Sequence, residues 1–187
     1  VLLSAHGVVL GEGTIDAARA FDGANVGFED ELRAGTFMGR ITASGLWTPC
    51  KRTTVTPAGG GTNVTAVPVV NARAFRTGDV ITVGSSGNVT VSAVNYGTNT
   101  LTVSSAITFA NSAEVAANDG SQICRGILNE FVKLRDEDGV ARNKLVSHLI
   151  LAGLVDHTLV IGDLAAIRAS ATTQIPQILF SDTAGQR

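Results

Sequence analysis

Charge is scarce in this sequence: Asp, Glu, Lys and Arg make up 16% of its 187 residues. Fourteen basic against sixteen acidic side chains leave a formal net charge of −2. A pI near 5.9 gives no electrostatic footprint for sustained binding to nucleic acid. The nearest basic clusters, Lys51-Arg52 and Arg142 with Lys144, are too sparse to track a phosphate backbone. Aromatic residues are also few, at 5% with one Trp and one Tyr, which is little for stacking against sugars. No run of about 18 apolar residues is present, so no membrane-spanning helix is expected. Val1-Leu2-Leu3-Ser4-Ala5 lacks a basic leader and a long apolar stretch, and no signal peptide is read there. Two cysteines, Cys50 and Cys124, do not make a disulfide scaffold. Reduced, buried thiols are the expectation, and a bond between them requires that folding bring them together.

The parts of known catalytic and binding motifs are missing as well. Three histidines and two cysteines show no close metal-ligand spacing, so no metal is expected. His148 or His157 with Cys124 and Asp156 can be drawn as a triad, but nothing in their spacing brings them together. Gly84-Ser85-Ser86-Gly87 lacks the Gly-x-Ser-x-Gly elbow and reads as a hairpin turn. Gly11-Glu12-Gly13 has Asp16 where a dinucleotide fingerprint needs its third Gly. Thr56-Pro57-Ala58-Gly59-Gly60-Gly61-Thr62 has no following Lys-Ser/Thr and reads as a connector, not a phosphate loop. Asp136-Glu137-Asp138-Gly139 mimics the start of a calcium loop, but Val140 and Ser147 stand at ligand positions. Asn63-Val64-Thr65 and Asn88-Val89-Thr90 match the glycosylation sequon by chance, as Thr- and Asn-rich strands often do. No catalytic residue and no cofactor is assigned.

What is present is Val, Thr, Ile and 21 glycines, the composition of a β-rich chain with tight turns. The clearest pattern lies between Val64 and Ala117. Val80-Ile81-Thr82-Val83 follows a Gly-Asp turn, and Val89, Val91 and Ala93 alternate with Thr90 and Ser92. Leu101 and Val103 alternate with Thr100, Thr102 and Ser104. Period two with one apolar side is what a sheet with one buried and one wet face requires. Short strands with Gly/Asn turns between them point to hairpins closing into a small barrel or sandwich.

Elsewhere, Phe37, Gly39 and Ile41 alternate with Met38, Arg40 and Thr42, between Gly35 and Gly45. Leu46-Trp47-Thr48-Pro49 follows as a short strand. Ile15 to Phe21 reads as one or two helical turns, and Glu29-Asp30-Glu31 as a solvated acidic face. Val146 to Ala152 and Thr158 to Ile161 read as two strands around Gly153. Asp163 caps a short helix, Leu164 to Ala169, with Leu164 and Ile167 on one face; Pro176 precedes a last strand, Ile178 to Phe180. Trp47, the sole Trp, reads as a core or subunit-interface anchor.

Ala34-Gly35-Thr36-Phe37-Met38-Gly39-Arg40-Ile41-Thr42-Ala43-Ser44-Gly45, followed by Asp119-Gly120-Ser121-Gln122-Ile123-Cys124-Arg125-Gly126-Ile127-Leu128, resembles the phage lambda-type head decoration (capsid cement) proteins. The resemblance covers residues 34 to 50 and 119 to 134, and 146 to 185 more loosely. It implies a mainly β, β-rich α+β chain: a small decoration-protein core with one short helix, interrupted by an inserted β module. The expected divisions are 1–33 as a capsid-binding arm, 34–62 with 118–187 as a discontinuous core, and 63–117 as the insertion. By the same resemblance the chain is a homotrimer, made in the host cytoplasm, that sits on the outer surface of the virion. Its partner is the major capsid protein, with neither nucleic acid nor membrane contacted directly. Val8, Val9 and Leu10 take the part of the family's arm, which adds to sheet edges of the capsid protein. The possible helix in the leading segment and the size of the insertion depart from the family pattern. Another virion β protein of the tail or fibre, a carbohydrate-binding module and, last, a hydrolase are the competing readings.

Overall fold

The computed structural model describes residues 9–169 and 178–181. Strands account for 49% and helix for 5%, so the chain is mainly β with one short helix. In chain order the strands are β1 (Val9–Ile15), β2 (Glu31–Leu32), β3 (Phe37–Arg40), β4 (Trp47–Pro49) and β5 (Arg52–Thr54). Next come β6 (Gly61–Pro68), β7 (Val80–Val83), β8 (Val89–Asn95), β9 (Thr100–Phe109) and β10 (Glu114–Ala117). β11 (Cys124–Leu128), β12 (Val132–Lys133), β13 (Lys144–Asp156), helix α1 (Leu164–Ala169) and β14 (Ile178–Ser181) complete the list.

Five of these strands close on themselves in the order β1-β4-β3-β11-β13, with β13 returning to β1, to make a barrel. Closure removes the unpaired edges of a small sheet. β13 makes it possible, because its 13 residues are long enough to pair with β1, β11 and, in parallel, β14. The barrel is filled by Ile15, Met38, Trp47, Leu128, Val146 and Leu149. A second cluster of Phe37, Cys124, Ile127 and Ile150 is joined by Ile167 of α1 and Ile178 of β14. β3 is therefore covered on both sides. Phe37 and Met38, adjacent in sequence, are 1% and 0% exposed, where strict alternation predicts one wet face.

Gly39 stands where the chain crosses over β3: a Cβ there would lie 2.0 Å from the Ser121 carbonyl oxygen. Gly13 makes room for the indole of Trp47, whose Nε1 would be 2.3 Å from a Cβ at that position. Both are close approaches that only Gly permits.

The other large sheet runs β5-β10-β7-β8-β9-β6 and curls until its ends meet. Val55 bridges Val69, with Thr56 N donating to Pro68 O (3.0 Å) and Val70 N to Thr54 O (2.9 Å). Phe75, Ile81, Val83, Val91, Leu101, Val103 and Val115 fill its interior. The predicted alternation places Val89, Val91, Leu101 and Val103 inward. Ala93 instead faces out, because a bulge between Val91 and Ala93 shifts the register and Val94 packs in its place.

Several boundaries differ from those read in the sequence. The module's sheet begins at β5, so the Gly-rich stretch at 59–61 lies within it. β1, in the segment expected as an arm, is a member of the closed ring. Ile15 ends β1 instead of starting a helix, and only one turn follows, in which Asp16 O accepts from Arg19 N and Ala20 N. The two strands expected around Gly153 are one strand running through it, followed by a single 3-10 turn, His157–Leu159, capped by Asp156. Asp163 does cap α1, its Oδ1 accepting from Ala166 N at 3.0 Å. Pro176 and Val8 lie outside the described residues.

Candidate functional site

The polar side chains that the fold buries are concentrated where the core barrel meets the inserted module. Lys51, between β4 and β5, and Arg52, the first residue of β5, are 1% and 6% exposed and cannot form a nucleic-acid patch. Lys51 Nζ lies 2.5 Å from Asp79 Oδ1, and Arg52 Nη1 lies 2.8 Å from Glu114 Oε2. Thr53 Oγ1 donates to Asp163 Oδ2 (2.8 Å), tying β5 to the residue that caps α1. A second clamp centres on Asp22, almost fully buried, which takes Arg33 of the core at 3.1 Å and Arg73 of the module at 2.9 Å. Gly23 N donates to Arg73 O (2.9 Å), and Tyr96 closes over this point with its ring 5.7 Å from Phe21. Of these pairs Lys51–Asp79 and Arg73–Asp22 are largely buried on both sides, and removing one partner of such a pair costs far more than an exposed pair is worth.

An open cleft of about 420 Å³ lies along the same junction, lined by Arg19, Arg76, Asp79 and Asp119 among others. Its charges are used by the protein itself. Arg19 reaches Asp119 at 3.3 Å, Arg76 donates through Nη1 to Ala18 O and through its amide to Asp79 Oδ2, and Asp79 holds Lys51. Burial works to raise the Asp119 carboxyl, but the hydroxyl and amide of Ser121, with Lys51 and Arg19, outweigh it and hold it below the usual range. A carboxyl depressed in this way contributes stability above its unfolded value of about 3.9, and loses it as pH falls through the lower folded value. No His or Cys is among the residues lining the cleft.

Tyr96 supplies a direct test of the junction. Its hydroxyl donates to Phe75 O (2.9 Å), and burial, the largest cause, pushes its pKa from 10 up to about 12. A group raised on folding stabilises the fold fully below its unfolded value and loses that contribution as pH rises through the folded one. The expected outcome is an alkaline limb of declining stability between about 10 and about 12, shallower in Tyr96→Phe. Since Tyr96 is the sole tyrosine, tyrosinate absorbance reads its titration directly.

The triad drawn from sequence is not assembled. Cys124 is fully buried, and the Asp156 carboxylate is taken up by the amide and hydroxyl of Thr158 at 2.9 and 2.7 Å. His148 does meet a serine and a carboxylate, Ser147 at 3.2 Å and Glu130 at 3.4 Å. Both contacts fall on Nδ1, whereas a relay needs one partner on each ring nitrogen. Glu130 is also occupied by the amides of Ser147 and His148. The calcium-like turn is closed in the same way: Asp136 accepts from Asp138 N and Val140 N and pairs with Arg142. Among the described residues no group of three or more His, Cys, Asp or Glu converges, and no helix is long and apolar enough to cross a membrane.

Of the residues expected to bind a capsid, Val9 and Leu10 lie on β1 opposite Ala152 and Ile150, 51% and 46% exposed, and Val8 is outside the described residues. Trp47 is 9% exposed and packs in the core-barrel cluster. Sequence reading missed the larger feature. Among the described residues, every large apolar side chain left exposed belongs to the core barrel and its loops, except Val70 and Val80. Leu154 and Leu179, exposed, stand opposite each other on β13 and β14, and Leu145 on β13 is 73% exposed. The strand expected from Val146 starts at Lys144, and Leu145 lies in the added part. In comparisons with known proteins, no family model matched the chain, and no curated protein or solved structure matched it significantly.

Proposed function

We propose that the chain is a capsid decoration protein, one that binds the outer surface of a mature icosahedral phage head as a homotrimer and stabilises it. The observation that carries this reading is the asymmetry of exposed apolar surface: the core barrel presents Val9, Leu10, Leu145, Leu154 and Leu179, while the inserted module presents little. A chain that adheres through one half and faces solvent with the other needs this distribution. In this reading the core barrel rests on the major capsid protein and the module points outward. The resemblance of residues 34 to 50 and 119 to 134 to the lambda-type cement proteins favours the same role.

Stabilisation follows from mass action. A ligand that binds only the expanded lattice stabilises it by its binding free energy and does nothing for isolated capsid subunits. Three copies touching several capsid subunits gain avidity of about 10²–10⁴ over a single contact. β1 meets β4 only at Ile15 and Trp47, so among the described residues the β4 side of β1 at Val9 and Leu10 is left for a strand of the partner, with backbone hydrogen bonds supplying much of the affinity.

Cosedimentation with purified mature and immature shells tests the reading. The chain should pellet with mature shells alone. Burying a Val or Leu contributes about 1.5–3 kcal/mol, so Val9→Asp with Leu10→Asp should weaken binding by at least about tenfold. Val80→Asp on the module, a position 41% exposed, should leave binding unchanged. Equal binding to both shells, or to neither, counts against the cement reading.

A further inference from the structure

Lys51 is the one buried lysine among the described residues, and its Nζ lies 2.5 Å from Asp79 Oδ1. The backbones of both residues are held. Lys51 N donates to Ser121 O (3.3 Å), and Lys51 O accepts from Ala117 N (3.0 Å). Asp79 N donates to Arg76 O (3.2 Å), and Asp79 O accepts from Val91 N (2.8 Å). The second carboxylate oxygen, Oδ2, accepts from Arg76 N at 2.9 Å, so the acid cannot swing away from the amine without losing that bond. Amine and carboxyl are thus fixed against each other. Such an arrangement turns a slow bimolecular condensation into an intramolecular one, with effective molarities of about 10⁵–10⁸ M. An ion pair in this place keeps two charges out of water, whereas an amide has none to desolvate. The Asp79 side chain, 15% exposed, borders the open cleft between core and module, which gives a released water its way out.

We propose that Lys51 and Asp79 condense to an intramolecular isopeptide bond, which locks the chain entering the module to the turn before β7. The bond is independent of the proposed function and forms whatever the core barrel binds; the ion pair is the state before condensation. A proton passes from the Lys51 ammonium to Asp79 Oδ1 along their contact, leaving an amine beside a carboxylic acid. The amine nitrogen attacks Asp79 Cγ. An N–C bond forms, and the carbonyl π pair moves to Oδ2, where the Arg76 N–H steadies the negative charge. Water in the cleft carries a second proton from the nitrogen to Oδ1. The Cγ–Oδ1 bond breaks, Oδ1 leaves as water, and the pair on Oδ2 restores the carbonyl. One ammonium and one carboxylate become one amide and one water, and no other reactant is consumed. The two residues are 28 positions apart and precede β5 and β7, strands that β10 separates. The link therefore closes a loop of the module and restricts the unfolded chain, as any cross-link does.

The test is intact mass under denaturing conditions, followed by tryptic peptide mapping, on the purified full chain. The expected result is a mass short of the sequence value by one water in most molecules. The peptide carrying Lys51 should be joined to the one carrying Asp79, by a link that neither a reducing agent nor hydroxylamine opens. Lys51→Arg keeps the positive charge but cannot form this amide, and it should show the full mass and separate peptides. If Lys51→Arg fails to fold, the joined peptide in the unaltered chain still decides the matter. Succinimide formation at Asp22-Gly23, Asp119-Gly120 or Asp138-Gly139 also releases one water, but it leaves the two peptides apart and opens with hydroxylamine. The full mass with separate peptides, a water lost only as succinimide, or Lys51 joined to Asp119 of the same cleft would each overturn the proposal.

Discussion

Replacing Asp79 by Ala lowers the unfolding free energy by about 3–5 kcal/mol, the cost of leaving a buried charge without its partner. Lys51 is 1% exposed, and its ammonium is 2.5 Å from the Asp79 carboxylate. With Ala at 79 the ammonium has to draw water into the junction or remain unpaired there, and Arg76 N also loses its acceptor. Removing both charges has a different result. Lys51→Met combined with Asp79→Ala recovers part of the loss, because no charge is then left unpaired in the junction, while the smaller Ala and the lost acceptor of Arg76 N keep the rest. Chemical denaturation of the three proteins checks this. A single variant within about 1 kcal/mol of the parent, or a double variant no better than the single, would show that the clasp does not hold the two halves together.

Gly39→Ala is expected to be as damaging, through sterics alone. The new Cβ would lie 2.0 Å from Ser121 O and 2.7 Å from Ser121 C, and both atoms are backbone. Ser121 O also accepts from Lys51 N, so moving it loosens the crossing that leads into the module. A cost of about 3–5 kcal/mol is a large share of the 5–15 kcal/mol typical of a domain. Gly87→Ala is the control, since nothing lies within 4 Å of a Cβ there, and its effect should stay within about 0.5 kcal/mol. Soluble yield and thermal midpoint of the two variants measure the difference, and a Gly39→Ala protein as stable as Gly87→Ala would contradict the packing described at β3.

The inserted module was the most legible part of the chain, because its strands have one wet face and so alternate openly at Val89, Val91, Leu101 and Val103. The core barrel was harder to read for the opposite reason. β3 is covered on both sides, so Phe37 and Met38 erase the period-two signal. β1 carries glycines at 11 and 13, one of them making room for Trp47, and without apolar side chains at those places it looked like an arm. Asp163 as a helix cap was readable because capping is local. The junction was not, since Lys51 finds Asp79 and Asp22 finds Arg73 only through the closure of two sheets. Partners so far apart in sequence leave no mark in local composition.

The adhesion account is tested most directly by calorimetry of purified mature shells, stripped of any decoration and titrated with this chain. The account predicts that the shell's disruption temperature rises with added protein and saturates, while isolated capsid subunits show no change. An unchanged shell, or an equal shift in the isolated subunits, would contradict it.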